Sequence, residues 1–164
     1  MAVDYITLNA IVDEMITILG ESTVINDFLQ TNYTKSLSIF KSIDQYKLPT
    51  EEDAPFAVLF KDGMDAGEQV NNWIYQIGIE IGLKDTSQIE STVGFAEVVE
   101  TAGESKVEDL SNKIYDELRT KIPCNANIDE MRMELDDTQY PLYISNLILR
   151  INIPQVIGSV VTLN

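Results

Sequence analysis

The chain has 164 residues and is 45% hydrophobic, long and apolar enough for one domain with a core of its own. Its 27 acidic and 11 basic side chains give a formal charge of −16, which argues against nucleic-acid binding through a basic surface. It has no histidine, so most familiar hydrolase and zinc-site designs are excluded. The single Cys124 rules out an intramolecular disulfide framework and fits synthesis in a reducing compartment.

The start of the chain lacks the basic residues and continuous apolar run of a signal peptide, and no stretch approaches membrane-spanning length; the chain reads as soluble. From Asp4 or Thr7 to Leu19, the residues Leu8, Ile11, Val12, Met15, Ile16, Ile18 and Leu19 fall at helical spacing, with Gly20 as terminator. Val24, Ile25, Phe28 and Leu29 suit a short second helix or a helical turn, closed by Asn32 and Thr34. Leu37, Ile39 and Phe40, set among Ser36, Ser38 and Ser42, read as a short, bulged strand, with helical continuation as the alternative.

Lys47 to Ala54 is a polar connection, and Pro55 opens the strand Phe56 to Phe60, which ends at Lys61. Lys61 to Asn72 contains Asp62-Gly63 and Gly67 and reads as a long hairpin connection. From Trp73 to Leu83, large apolar residues alternate strictly with Ile74, Gln76, Gly78, Glu80 and Gly82, which predicts one long strand with a large face and a small one. Lys84 to Thr92 then reads as a loop, and Gly94 to Thr101 as a further strand or short extended segment.

Ser105 and Glu108 form a capping-box pair ahead of the stripe Val107, Leu110, Ile114, Leu118 and Ile122, predicting a helix from Ser105 to about Ile122, stopped by Pro123. That stripe is expected to pack on the large face around Ile77 and Ile79. Met131, Met133 and Leu135 recur at period two, as do Leu147, Leu149, Ile151 and Ile153, which predicts an antiparallel pair across the acidic stretch Asp136 to Pro141. The tail, with Val156, Ile157, Val160, Val161 and Leu163, is expected to dock on its own sheet or on a neighbour. The whole reads as one α+β domain over residues 1–164, a mostly antiparallel sheet flanked by two principal helices.

No constellation of residues makes a convincing active site. Asp62 to Gly67 resembles a calcium loop, but Met64 and Ala66 occupy ligand positions and Trp73 stands where a bidentate Glu belongs. The carboxylates at Glu51, Glu52 and Asp53, and at Asp136 and Asp137, read as solvated acidic loops before they read as catalytic pairs. Glycine-rich phosphate loop, dinucleotide fingerprint and nucleophile elbow are all missing, and Cys124 has no histidine to activate it. The chain is therefore read as a non-enzyme without cofactor or metal.

The order of elements, with Pro55-Phe-Ala-Val-Leu-Phe60, Trp73-Ile-Tyr-Gln-Ile-Gly-Ile-Glu-Ile81, a capped helix, Pro141-Leu-Tyr and a closing Arg150-Ile-Asn-Ile-Pro154, resembles the tail terminator proteins of long-tailed bacteriophages over residues 5 to 154. Residues 30 to 53 do not map onto that order. The resemblance implies a structural virion protein, made in the bacterial cytoplasm, that forms a homo-oligomeric, hexameric ring. Such a ring caps the tail tube protein, ends its polymerisation and meets the head–tail connector protein, while DNA passes through without specific binding and no membrane is involved. It places Gly78, Glu80 and Gly82 toward the lumen and the hairpin residues Lys61, Asp62, Asp65 and Glu68 against an adjacent ring; Val160 and Leu163 of the apolar tail are further candidate interface residues. The alternatives are another tail or neck component, such as a tube, tail-completion or connector subunit, and more distantly an acidic metal-dependent enzyme.

Overall fold

The alternation between Asn72 and Lys84 decides the layering, because a pleated strand must send successive side chains to opposite sides. The computed structural model describes residues 7–42, 48–65, 72–122, 126–136 and 140–154. In chain order these form α1 (Leu8–Gly20), α2 (Thr23–Tyr33), β1 (Ser38–Lys41), β2 (Phe56–Asp65), β3 (Asn72–Lys84), β4 (Gln88–Val93), β5 (Ala96–Thr101), α3 (Ala102–Lys121), β6 (Asn127–Leu135) and β7 (Leu142–Pro154). Five strands make the main sheet in the order β1-β2-β3-β7-β6, antiparallel except where β1 runs parallel to β2. The fold is α+β, with helices flanking a mostly antiparallel sheet.

Tyr75, Ile77, Ile79, Ile81 and Leu83 project from β3 to one side and are fully buried. There they meet Leu147, Leu149 and Ile151 of β7, and Val107, Leu110, Ile114 and Leu118 of α3, in one cluster with Val12 and Met15 of α1. Each such side chain contributes about 1.5–3 kcal/mol over its exposed state, so the expected stripe on α3 is core. The Thr7 hydroxyl accepts from the Ala10 amide at 3.1 Å to start α1, and Ser22 accepts from Ile25 at 3.2 Å to start α2. The segment that read as helix or turn is thus an 11-residue helix, closed by Thr34 in the left-handed region at φ 54°. At the other edge of the sheet, Met131 opposes Leu149 and Met133 opposes Leu147, in the pairing that period two implies.

Four expectations change. β2 continues through Asp62 to Asp65, with a register shift between Lys61 and Gly63 that leaves Asp62 as the extra residue, so the hairpin connection narrows to residues 66–71, which lie outside the described residues. The segment read as a loop after Lys84 contains β4, which pairs with β5 as a separate two-stranded ribbon. α3 begins at Ala102, not Ser105: the Ala102 amide donates to the Ser87 carbonyl at 3.1 Å, and the Ser105 hydroxyl donates to the Ala102 carbonyl inside the first turn and caps nothing. Gly103 allows the early start, since a Cβ there would fall 2.1 Å from the Tyr143 ring.

The fourth change concerns the small face of β3. Gly78 and Gly82 line no opening: Phe60 stands opposite Gly78 and Phe56 opposite Gly82 in the ladder, and each ring lies over its partner glycine where a Cβ would come within 2.1 Å. Both glycines are buried by their own chain. Phe56, with Val58 and Ala54, makes a second small cluster against Phe40 and Leu142, and Phe40 meets Phe56 edge-on at 6.4 Å.

The two glycines should differ in tolerance. Phe56 is 1% exposed and boxed in by Phe40, whereas Phe60 is half-buried and has solvent to swing into. Gly82→Ala should therefore cost about 1–3 kcal/mol by overpacking, and Gly78→Ala clearly less, as read from urea unfolding midpoints. Equal losses would show that the rings are not held as described.

Candidate functional site

β4 and β5 are joined by Gly94 and Phe95, with Gly94 at φ +65°, where a side chain would be strained. Residues opposite one another in the ladder share a side. Ile89 with Glu100, Ser91 with Val98 and Val93 with Ala96 make one side largely apolar; Gln88 with Thr101, Glu90 with Val99 and Thr92 with Glu97 make the other polar and acidic. Every residue of the ribbon except Thr101 is exposed. Val93 keeps 68% of its surface, Ile89 48%, and Phe95 at the tip is fully exposed. An amphipathic ribbon with its apolar side in water is a candidate interaction surface.

The base of this arm is fixed by charge. Asp85, between β3 and β4, is 6% exposed. One carboxylate oxygen accepts from the Tyr33 hydroxyl of α2 and from Lys106 Nζ of α3, each at 2.8 Å; the other accepts from the Ser87 amide at 2.7 Å and from the Ser87 hydroxyl. The Asp85 amide donates to the Pro141 carbonyl at 2.9 Å, and Lys106 Nζ also lies 5.5 Å from the centre of the Tyr33 ring. Burial opposes the charge on Asp85, but the donors from Lys106, Ser87 and Tyr33 outweigh it and pull the carboxyl down to about 2. Burial, then the adjacent carboxylate, push the Tyr33 hydroxyl up, so it remains a donor. Both strands of the ribbon thus leave one hydrogen-bonded node: β4 departs just after Asp85, and β5 returns into α3 at the residue bonded to Ser87.

The second surface is the side of the sheet facing away from the helices. No described helix residue joins the small cluster around Phe56. Farther across, Ile74, Gln76, Glu80, Ile144, Asn146, Ile148 and Arg150 are half-buried. Glu80 sits opposite Asn146, whose amide donates to Asp136 at 3.2 Å. Burial, then the Asp136 charge, raise the Glu80 pKa.

The residues singled out from the sequence do not converge. Gly78 and Gly82 lie under the phenylalanine rings, Glu80 is half-buried at mid-strand, and Lys61 and Asp62 are exposed toward the end of β2. Asp65 is the last residue of β2, and Glu68, Val160 and Leu163 lie outside the described residues. The ribbon and the Asp85 node were missed, although Ile89, Ser91 and Val93 alternate with Gln88, Glu90 and Thr92 around a Gly94 turn.

Other sites are poor in chemistry. A cleft of ≈ 260 Å³ where α1 meets α2 has Glu21 as its sole titratable lining residue. Among the described residues no three of His, Cys, Asp or Glu gather as a metal site, and no helix is long and apolar enough to cross a membrane. Asp53 accepts from the Thr50 amide and hydroxyl in a local turn, and Glu51 pairs with Lys84 at 3.4 Å. No protein-family model matches the chain, and no curated protein matches it in sequence.

Lys106→Met leaves Asp85 charged and underpaired. The loss should be about 2 kcal/mol, below that of a fully buried pair because Lys106 keeps 28% of its side chain in water. The folded-state pKa of Asp85 lies below that of the unfolded chain, so the unfolded chain binds the proton first. The stability Asp85 contributes is complete above about pH 4 and lost as pH falls toward 2. Asp85→Asn should flatten that part of the stability–pH curve, and an unchanged acid limb in thermal melts would place the node's contribution elsewhere.

Proposed function

We propose that this chain is a structural, non-enzymatic subunit that assembles with copies of itself into a ring, and that it serves a long-tailed bacteriophage as a tail terminator. In that role the ring caps the tail tube, ends its growth and presents a surface to the head–tail connector. The observation that carries the reading is the β4–β5 ribbon: a stiffly based arm whose apolar side has no cover within the described subunit. An arm seated on a different surface of the next copy, without reciprocal exchange, makes a heterologous contact, and heterologous contacts close into rings where the rotation per copy permits.

Charge supports the same role. A subunit of net charge −16 holds passing DNA off its surface by repulsion rather than binding it. The same charge opposes self-association, so assembly should be promoted by salt, which screens exposed like charges.

Light scattering and negative-stain microscopy of the purified protein, alone and with isolated tail tubes, test the proposal. Closed rings, or caps on tube ends, are expected, with more assembly at higher salt. Open filaments would favour a tube subunit instead, and a monomer that ignores tubes at every salt concentration would overturn the reading.

A further inference from the structure

We propose that the free edge of β6 pairs with β6 of a second copy, antiparallel about a two-fold axis at Met133, so that the main sheets of two subunits continue as one. The contact is isologous and closes at two copies; it goes beyond the ring contact above and does not rest on it.

β6 is the last strand of the main sheet, and among the described residues no strand pairs with its outer edge. An unpaired edge is a template for another strand, which folds commonly spoil with a bulge, a proline or a lysine. Here the bulge, with Asp129 as the extra residue, lies near the start of the strand, and the register from Glu130 to Leu135 is unbroken. The Asp136 amide donates to the Ile144 carbonyl at 3.0 Å, one step past the opposed Leu135 and Ser145. Hydrogen-bonded pairs alternate along an antiparallel ladder. Glu130, Arg132 and Glu134 therefore turn their backbone groups toward β7, whereas Met131, Met133 and Leu135 turn theirs outward.

Charge selects the partner. Arg132 and Glu134 flank Met133 on one side of the strand, with side chains 68% and 46% exposed, and pair with each other in the single subunit. Two copies crossing at Met133 set Arg132 of each opposite Glu134 of the other, so the four charges alternate in sign around the axis. On the other side of the sheet, Met133 meets its own counterpart, and Leu135, 41% exposed, meets Met131. That extends the apolar layer on which Met131 and Met133 already pack. These same residues carry the outward backbone groups, so one crossing satisfies ladder, charge and apolar surface together. Neighbouring registers do not. Crossing at Arg132 would set that residue opposite itself and Glu130 opposite Glu134, and crossing at Met131 would run the ladder into the extra Asp129. In the favoured register Glu130 faces Asp136, and that like-charged pair ends the contact just beyond Leu135. A contact this short buries less than the ~1,200 Å² of stable complexes, so the dimer exchanges with monomer.

Sedimentation velocity across a range of protein concentrations, with amide exchange followed by NMR, tests the contact. Dimers should form as concentration rises. Exchange should slow at Met131, Met133 and Leu135, while Arg132 and Glu134, already bonded to β7, change little. Arg132→Glu and Glu134→Arg each set like charges across the axis and should each weaken the dimer about tenfold, although the first makes the chain more negative and the second less. Both positions are exposed, so the subunit fold survives either change. The chain carrying both changes has the wild-type net charge, restores opposite charges across the axis and should dimerise as the wild type does. The two single variants, mixed, should pair with each other. A wild-type protein whose three outward amides exchange equally fast at every concentration would overturn the proposal, and so would a dimer that both single variants retain. Because the pair closes at two copies, particles larger than a dimer report on the ring reading alone.

Discussion

The pleat of β3 is the constraint on which the rest of the molecule depends. It is paired along its full length with β7 and over most of it with β2, so every side chain it carries is committed to one side or the other. One side holds Tyr75, Ile77, Ile79, Ile81 and Leu83, and that row requires a cover of helices. The other side holds two glycines, and the missing side chains are replaced by aromatic rings from the neighbouring strand rather than by solvent. Phe60 over Gly78 and Phe56 over Gly82 are one device used twice: a large residue opposite none, which keeps the cross-strand volume constant and pins the register of β2.

The Asp85 node turns that sheet into a platform for the arm. A buried ion pair is weak evidence for net stability, because taking both charges out of water costs about as much as their attraction returns. What the node provides is geometry. One carboxylate collects donors from α2, from α3 and from the first residues beyond β3, and its backbone is tied to the Pro141 carbonyl at the entry of β7. Four segments distant in sequence are thereby fixed at the point where both strands of the ribbon emerge. The exposed Ile89, Val93 and Phe95 thus sit on an arm whose base is tied to the rest of the fold.

Much of this was legible in the residues, and the part that was not has a common cause. Periodicity found β3, the α3 stripe and the β6–β7 pair because each buries one side, and burial is what makes an apolar pattern regular. Among the described residues the ribbon buries neither side, so Glu90, Ser91 and Thr92 read as loop. The start of α3 was placed too late because Ser105 and Glu108 resemble a cap, whereas the helix is entered directly from β5 and held by the Ser87 carbonyl and the fit of Gly103 on Tyr143. The glycines of β3 were seen, but what covered them was not: alternation fixes which side a residue faces, and only the pairing register says which ring lies across it. Asp85 was invisible for the same reason, since its donors come from positions 33, 87 and 106.

These features bear on the proposed association of so negatively charged a chain with copies of itself. Between like-charged copies, attraction has to come from surfaces where charge is sparse, and it must beat a repulsion that falls off over about 8–10 Å at ordinary ionic strength. An arm that carries Phe95 and Val93 at its far end places apolar contact away from the bulk of its own acidic body. In the proposed contact, the polar side of the ribbon, with Glu90 and Glu97, would stay toward water and discourage binding in the inverted orientation. Apolar area would supply the affinity of that contact while the carboxylates restrict which side of the arm can be covered. In the proposed ring, that division of labour would let an acidic protein assemble and still present a repulsive surface to DNA.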